Sequence, residues 1–184
     1  HGDLFLSDAG SGLATLDQPA TPGVPQTVVE STITLPFNDI EILKHTFQRQ
    51  GDQIAAIILE PIAGNMGVIP PNSGFLETLR SITETSNALL IFDEVQTGFG
   101  RTGKMWGHQH YDVVPDLICI GKGITSTLPL AAVMGAAKVL DVLPPGEVTT
   151  THAGHPLSLA AARENLAVMQ DEGLVQRAAN LGEI

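Results

Sequence analysis

The sequence predicts an α/β fold built on a mostly parallel sheet with flanking helices. Two observations support this prediction. Short apolar runs that do not alternate with polar residues recur along the chain, which is typical of strands covered on both faces. Segments with helical spacing of apolar residues separate these runs, and this alternation of strand and helix favours a parallel sheet. With 184 residues, 43% of them hydrophobic, the chain is long enough for a single domain over residues 1–184.

The individual elements are placed by their apolar patterns and by the turn-forming residues at their ends. Residues 3–30 are rich in Gly, Pro, Asp and Ser, which predicts a long irregular loop. The other predicted elements are a helix from an N-cap at Asn38 to Gly51, a strand at 54–59, a helix after Pro71 that ends near Asn87, strands at 88–92, 116–121 and 131–135, and a helix through Leu159, Ala162, Leu166 and Met169 that ends at Gly173.

Charge and composition argue against several classes of function. The net charge is −11 and the nine Lys and Arg residues are scattered, so neither nucleic acid nor an anionic membrane surface is an expected partner. The longest apolar runs are too short to span a bilayer, and no basic-then-apolar leader predicts secretion. The six histidines lack metal-site spacing, and Cys119 alone forms neither a disulfide nor a zinc site. We therefore expect no metal and a reducing, cytoplasmic location.

Three residues with reactive side chains fall at predicted strand ends: Glu60, Asp93 and Lys122. Ligands of parallel sheets bind beyond the carboxyl ends of the strands, so these residues predict a site. Each also has an ordinary structural interpretation, as a cap, a turn carboxylate or a solvated loop lysine. In the chemical interpretation, Asp93 holds a protonated ring nitrogen. Lys122, between Gly121 and Gly123, is then a partly buried amine that can form a Schiff base.

The stretch from Asp93 to Leu130 makes the chemical interpretation specific. It contains Asp93-Glu94-Val95-Gln96-Thr97-Gly98-Phe99-Gly100-Arg101-Thr102-Gly103, then Trp106, Pro115-Asp116-Leu117, Gly121-Lys122-Gly123 and Leu128-Pro129-Leu130. This stretch resembles the class III aminotransferases, which are pyridoxal-phosphate (PLP) enzymes of fold type I. Glu60-Pro61 and residues 150–156 extend the resemblance. It implies the central part of the large PLP-binding domain, with an N-terminal segment and a C-terminal small domain outside these residues.

The resemblance implies catalytic roles for two residues and places two more on the substrate side. Lys122 would form the internal aldimine with PLP and shuttle a proton between substrate and cofactor. Asp93 would pair with the pyridine nitrogen. Glu60 would face the substrate. Asn65 stands where aminotransferases that use glutamate often have a second Glu, and an amide cannot neutralise an arginine as that Glu does.

Five further residues would hold the cofactor in the family pattern. Val95 would pack on one face of the ring, and Gln96 would hydrogen-bond near the phenolic oxygen. Thr151 would donate its hydroxyl to the phosphate from the neighbouring subunit of a homodimer. His1 and Gly2 resemble the end of a segment whose aromatic residue stacks on the ring.

The resemblance leaves the reaction itself open. The N-terminal half, above all residues 60–67, resembles glutamate-1-semialdehyde 2,1-aminomutase. Gln96, the loop 100–106 and residues 124–130 resemble transaminases instead. Because the second set surrounds Lys122, we predict a transaminase that acts on an amino acid or amine and a keto acid or aldehyde. The alternatives are the aminomutase, an amino-acid racemase, and an inactive fragment or scaffold subunit.

Overall fold

The computed structural model describes Thr27 and residues 30–184. His1, Gly2 and all of the predicted loop 3–30 except Thr27 and Glu30 lie outside the described residues. The sheet of the described part has four strands: β1 (Ala56–Leu59), β2 (Leu89–Asp93), β3 (Leu117–Ile120) and β4 (Ala132–Gly135). They lie side by side in chain order, with β1, β2 and β3 parallel and β4 antiparallel to β3. The predicted mostly parallel sheet is therefore confirmed.

A helix separates β1 from β2, as the apolar spacing predicted, whereas loops with 3₁₀ turns connect β2 to β3 and β3 to β4. The helices of the described residues are numbered in chain order. They are α1 (Ile40–Gln50), α2 (Phe75–Thr85), α3 (Ala137–Leu140), α4 (Pro156–Asp171) and α5 (Leu174–Gly182), with 3₁₀ turns at Gly51–Gln53, Gly107–His110 and Lys122–Ile124. Gly173 ends α4 as predicted, and its φ of 60° lies in the left-handed region that glycine adopts without strain. The sequence pattern did not predict α3 and α5.

The start of α1 differs from the prediction by one residue. Asp39, not Asn38, is the N-cap, because its Oδ1 accepts the backbone N–H of Ile42 at 2.9 Å. Asn38 itself has a φ of 68°. Its side-chain amide donates to the carbonyl oxygen of Pro70, and its side-chain oxygen accepts the backbone N–H of Asn72. Asn38 therefore ties the start of α1 to the segment before α2.

The core lies on one face of β2 and β3, where alternate strand residues are buried against the helices. Its members include Leu90 and Phe92 of β2, Ile118 and Ile120 of β3, and Leu43, Phe75, Leu76 and Leu79 of the helices. The four residues of β4 are all exposed. The expectation of strands covered on both faces is therefore wrong for β4, because apolar composition predicts a strand but not what packs on it.

Asp116 fastens the amino ends of β2 and β3 together. Its Oδ2 accepts the backbone N–H of Leu90 at 2.8 Å and a guanidinium N–H of Arg80 at 2.9 Å. Burial by itself would raise the pKa of Asp116, but these partners outweigh it and lower the pKa. The register places Ile91 beside Leu117, so the carboxyl ends of the two strands are level.

Candidate active site

The three predicted strand-end residues lie at one edge of the sheet. Glu60 directly follows β1, Asp93 is the last residue of β2, and Lys122 lies two positions after the end of β3. The three strands are parallel neighbours, so their carboxyl ends are side by side. The sheet therefore brings together an amine and two carboxylates from distant parts of the chain.

The charges of Asp93 and Lys122 both affect the pKa of Glu60. Burial raises the pKa of Glu60 above its ordinary value, and the negative charge of Asp93 raises it further. A hydrogen bond from the backbone of Gly64 and the positive charge of Lys122 oppose this rise without cancelling it. Glu60 is thus a carboxyl group that holds its proton more firmly than one in water.

Lys122 occupies a strained turn, and its amine is directed at Gln96. The Lys122 φ of 38° lies in the left-handed region, which non-glycine residues rarely adopt. Its Nζ donates a hydrogen bond to Oε1 of Gln96 at 2.7 Å. Lys122 is exposed, so the expected partial burial is wrong. The glycines on either side contribute no side chains that could cover it.

Asp93 and Val95 both project from the segment that leaves β2. Oδ1 of Asp93 accepts the backbone N–H of Val95 at 2.9 Å. Within the described residues, no hydrogen bond engages its other oxygen, Oδ2, which is therefore available as an acceptor. The methyl groups of Val95 lie 3.6–3.7 Å from where a Cβ at Gly121 would stand, so glycine keeps the space beside Val95 clear.

Glu94 forms a buried hydrogen-bond network that sequence reasoning missed. The residue is fully buried, and its carboxylate accepts the backbone N–H groups of Gly107 and His108, each at 2.9 Å. It also binds the Thr97 hydroxyl and Nδ1 of His108, the latter at 2.8 Å. Successive residues of an extended chain face opposite sides. That rule was the available signal, because an Asp93 side chain on the side of the strand away from the core directs Glu94 into the protein.

The histidines of this loop differ in their surroundings. The side chain of His108 is only 13% exposed and pairs with Glu94. Its ring centroid is 5.8 Å from that of Phe92 in the core. His110 is exposed and its Nε2 contacts Thr102, as expected for a surface residue.

Two predicted site residues are not brought to Lys122 in the described part of the chain. Thr151 is exposed in a turn before α4, and no described hydrogen bond joins it to Lys122 or Asp93. Asn65 is exposed in the turn after Glu60, with its side chain free of hydrogen bonds to the described residues.

Other features of the described residues do not suggest a second site. Two shallow clefts, one lined by Phe47 and Ile82 and the other by Leu76 and Tyr111, contain none of the predicted site residues. Across Thr27 and residues 30–184, no group of three or more His, Cys, Asp or Glu side chains could hold a metal ion. None of the helices described is long and apolar enough to cross a membrane.

Comparison with known proteins identifies the family. The family described as aminotransferase class-III matches residues 1–184, the whole of this chain. The chain belongs to the class III aminotransferases. The resemblance inferred from residues 93–130 is therefore confirmed, together with the α/β fold that it implied.

Curated relatives of this class III chain carry the name of an aminomutase. The chain is 49% identical over 175 residues to glutamate-1-semialdehyde 2,1-aminomutase 2 of Oceanobacillus iheyensis, covering 94% of this chain and 41% of the relative. It is also 49% identical over 179 residues to the protein of the same name in Bacillus thuringiensis, covering 96% and 42%. The chain thus spans about two fifths of the length of these relatives.

Solved structures of transaminases share the fold of this class III chain. Acetylornithine aminotransferase from Elizabethkingia anophelis superposes with a TM-score of 0.77 and 41% identity, over 82% of this chain and 38% of that one. An ornithine aminotransferase from Toxoplasma gondii, described with PLP at partial occupancy, gives a TM-score of 0.77 and 38% identity over 90% and 37%. An S-selective transaminase from Arthrobacter sp. gives 0.72 and 40% over 78% and 32%.

Proposed function

We propose that this protein transfers amino groups with PLP as cofactor and Lys122 as the residue that binds it covalently. The observation that carries the proposal is the meeting of Lys122 and Asp93 at the carboxyl edge of the sheet, in a class III aminotransferase chain. Oδ2 of Asp93 can accept a ring N–H, and Gly121 adds no side chain beside the methyl groups of Val95 that would pack on the ring. These residues fit PLP by their chemistry.

Each of these side chains then has a defined role. When bound, PLP supplies an electron sink for the bond that breaks at the amino-bearing carbon. Lys122 is the nucleophilic amine and the carrier of the proton, since it is exposed and can reach a ligand. Asp93 accepts the ring N–H and keeps it protonated. Gln96 holds the amine of Lys122 in place and offers its amide to the ring oxygen.

The covalent role of Lys122 can be tested on the intact protein. Purified protein should show a visible absorbance band of bound PLP, and borohydride reduction should fix a cofactor mass on the peptide that contains Lys122. Lys104, which is exposed and donates to the carbonyl of Gln109, is the internal control and should stay unlabelled. A colourless protein, or label on Lys104 rather than Lys122, would contradict the proposal and favour the inactive scaffold.

Two reactions are possible, and they differ in whether the amino group passes to a second molecule or stays within one carbon skeleton. We propose a transaminase first, acting on an amino acid or amine and a keto acid or aldehyde, because Gln96, which accepts a hydrogen bond from Lys122, and residues 100–106 and 124–130 on either side of Lys122 in the sequence resemble transaminases. The second candidate is an intramolecular aminomutase, which is favoured by the 49% identity to relatives with that name. Transfer of ¹⁵N from a labelled donor to an added keto acid supports the transaminase. Retention of ¹⁵N within one carbon skeleton supports the aminomutase instead.

A homodimer with shared active sites completes the proposal. Val142, Leu143 and Val148 are 71%, 51% and 80% exposed in the segment that leads to Thr151. Large apolar side chains in an exposed segment are typical of a surface that a partner covers. We propose that this segment meets a second copy, so that Thr151 reaches the phosphate of the neighbouring site. The single Cys119 supports a cytoplasmic location.

A further inference from the structure

One side chain from α4 holds the turn that carries Lys122. Nδ2 of Asn165 donates to the backbone carbonyl oxygens of Gly123 at 2.8 Å and Ile124 at 3.2 Å. Its Oδ1 accepts the hydroxyl of Ser126 at 3.2 Å. A single amide therefore uses both of its ends on three groups of the turn, although about forty positions of sequence separate them.

The turn needs external support because its backbone is strained at both ends. Lys122 has a φ of 38° and Ser126 a φ of 60°. Strained backbone of this kind persists only where the surrounding structure holds it. Within the turn, the N–H of Ile124 donates to the Gly121 carbonyl at 3.0 Å, and the N–H groups of Thr125 and Ser126 share the Lys122 carbonyl, the latter at 3.3 Å. The Thr125 hydroxyl donates to the carbonyl of Leu128. The carbonyl oxygens of Gly123 and Ile124 are the ones that Asn165 binds. Asn165 binds the turn between its two strained residues.

We propose that Asn165 is a positioning residue, which directs the Lys122 amine by holding its turn. The amide is specific for this task, because its nitrogen faces two carbonyl oxygens and must be a donor. A carboxylate of the same shape would place negative charge against both carbonyls, and alanine would leave them without a donor. The contacts run from α4 through the turn to Lys122 and on to Gln96.

This inference rests on the proposed attachment of PLP to Lys122, so the test measures attachment itself. After PLP is removed from the intact protein and added back, the growth of the visible band gives the attachment rate. The pH midpoint of that band reports the surroundings of Lys122. We expect Asn165→Ala and Asn165→Asp to slow attachment and to shift the midpoint. The reduction should be roughly tenfold or more, since a misplacement of about 1 Å can cost 10²-fold.

Two further variants distinguish a positioning role of Asn165 from a nonspecific effect of changing the charge or stability of α4. Gln170→Glu adds the same charge as Asn165→Asp at an exposed position of the same helix and should attach PLP at the wild-type rate. Ser126→Ala removes one of the three bonds of Asn165 and should have a smaller effect than Asn165→Ala. All rates are compared below the lowest Tm of the set, with folding checked by circular dichroism. If Asn165→Ala fails to fold, Asn165→Ser keeps one donor and takes its place.

The outcomes distinguish this inference from the proposed function. If wild-type protein binds PLP at Lys122 while the Asn165 variants match Gln170→Glu in rate and midpoint, the positioning role is wrong and the proposed function stands. If the wild-type protein attaches no PLP, both are wrong. The inference is supported only if the folded Asn165 variants attach PLP more slowly and show a shifted pH midpoint while Gln170→Glu does not.

Discussion

Nδ1 of His108 lies 2.8 Å from Oε1 of Glu94, and this pair is part of a buried hydrogen-bond network at the carboxyl end of β2. Glu94 is the chain neighbour of Asp93, and its backbone N–H also binds the carbonyl oxygen of Cys119 at 2.9 Å. The loop after β2 folds back on Glu94 so closely that a Cβ at Gly107 would lie 2.8 Å from the Thr97 side chain. The direction in which Asp93 leaves the strand is thus fixed from the protein interior.

Replacement of Glu94 should reduce stability strongly. Glu94→Ala leaves His108 and two backbone N–H groups without their buried acceptor, and breaking a buried pair in this way costs about 3–5 kcal/mol. The measurement is the free energy of unfolding in urea. Glu164→Ala is the matched control, because its ion pair with Arg163 is exposed and should contribute no more than about 1 kcal/mol. Equal losses in the two variants would contradict the structural role of Glu94.

The same network predicts how stability depends on pH. Burial alone would raise the pKa of Glu94, but hydrogen bonds from His108, Thr97 and the backbone outweigh it and lower the pKa below the ordinary 4.5. A lowered pKa in the folded state stabilises the protein above pH 4.5, and this contribution is lost as the pH falls through the folded value. Glu94→Gln should flatten the stability profile in that acidic range. A profile parallel to wild type would show that Glu94 does not titrate as described.

Lys122 and Asp93 should fail in different ways when replaced. Lys122→Ala should lower turnover by at least roughly 10²–10⁴-fold, the contribution of a positioned proton-transfer group, while PLP is still retained noncovalently. Asp93→Asn keeps the shape but loses the charge, and a hydrogen bond to a charged group is worth about 1.5–3 kcal/mol. Equilibrium dialysis should therefore show weaker PLP binding for Asp93→Asn, by roughly 10- to 100-fold. Wild-type turnover in Lys122→Ala would show that another residue carries out the chemistry.

Glu60→Gln should stabilise the fold near neutral pH. Burial and the charge of Asp93 raise the pKa of Glu60, so its charged form costs folding free energy once the pH rises through that value. The amide avoids this cost, and we expect a higher Tm at pH 7 but no gain at a pH where Glu60 is already protonated. Glu77→Gln, an exposed change in α2, is the control. A lower Tm for Glu60→Gln at pH 7 would show that Lys122 and Gly64 dominate instead.

Mixed dimers test whether Thr151 acts across the proposed interface. If Thr151 serves the neighbouring site, a dimer of one Lys122→Ala subunit and one Thr151→Ala subunit has one site with both residues intact. Such mixtures should regain activity that neither variant has alone. If Thr151 serves its own subunit, every site in the mixture keeps one defect. No gain over the sum of the two variants would then exclude the shared-site arrangement.

The features that follow from local sequence were predicted well, and those that depend on distant contacts were not. Glu60, Asp93 and Lys122 could be placed because each follows a short apolar run, and a parallel sheet gathers the ends of such runs. The hydrogen bonds of Glu94 join residues on either side of a loop, and those of Asn165 join α4 to the Lys122 turn across several elements. No local spacing marks such pairs. Asn38 shows the same limit on a small scale. Its side chain binds the backbone of Pro70 and Asn72, which are distant in sequence, and Asp39 is the N-cap of α1 instead.

The antiparallel direction of β4 has a consequence for chimeric enzymes. After Lys122 the chain forms β4, which runs back along β3, so that Gly135 pairs with Leu117 at the amino end of β3. The chain returns to the Lys122 turn only in α4, through Asn165. A crossover between two family members placed anywhere between residues 127 and 164 would combine the lysine turn of one parent with the α4 residue of another. Recombination libraries should inherit residues 121–126 and position 165 as one block, even though they are far apart in the gene.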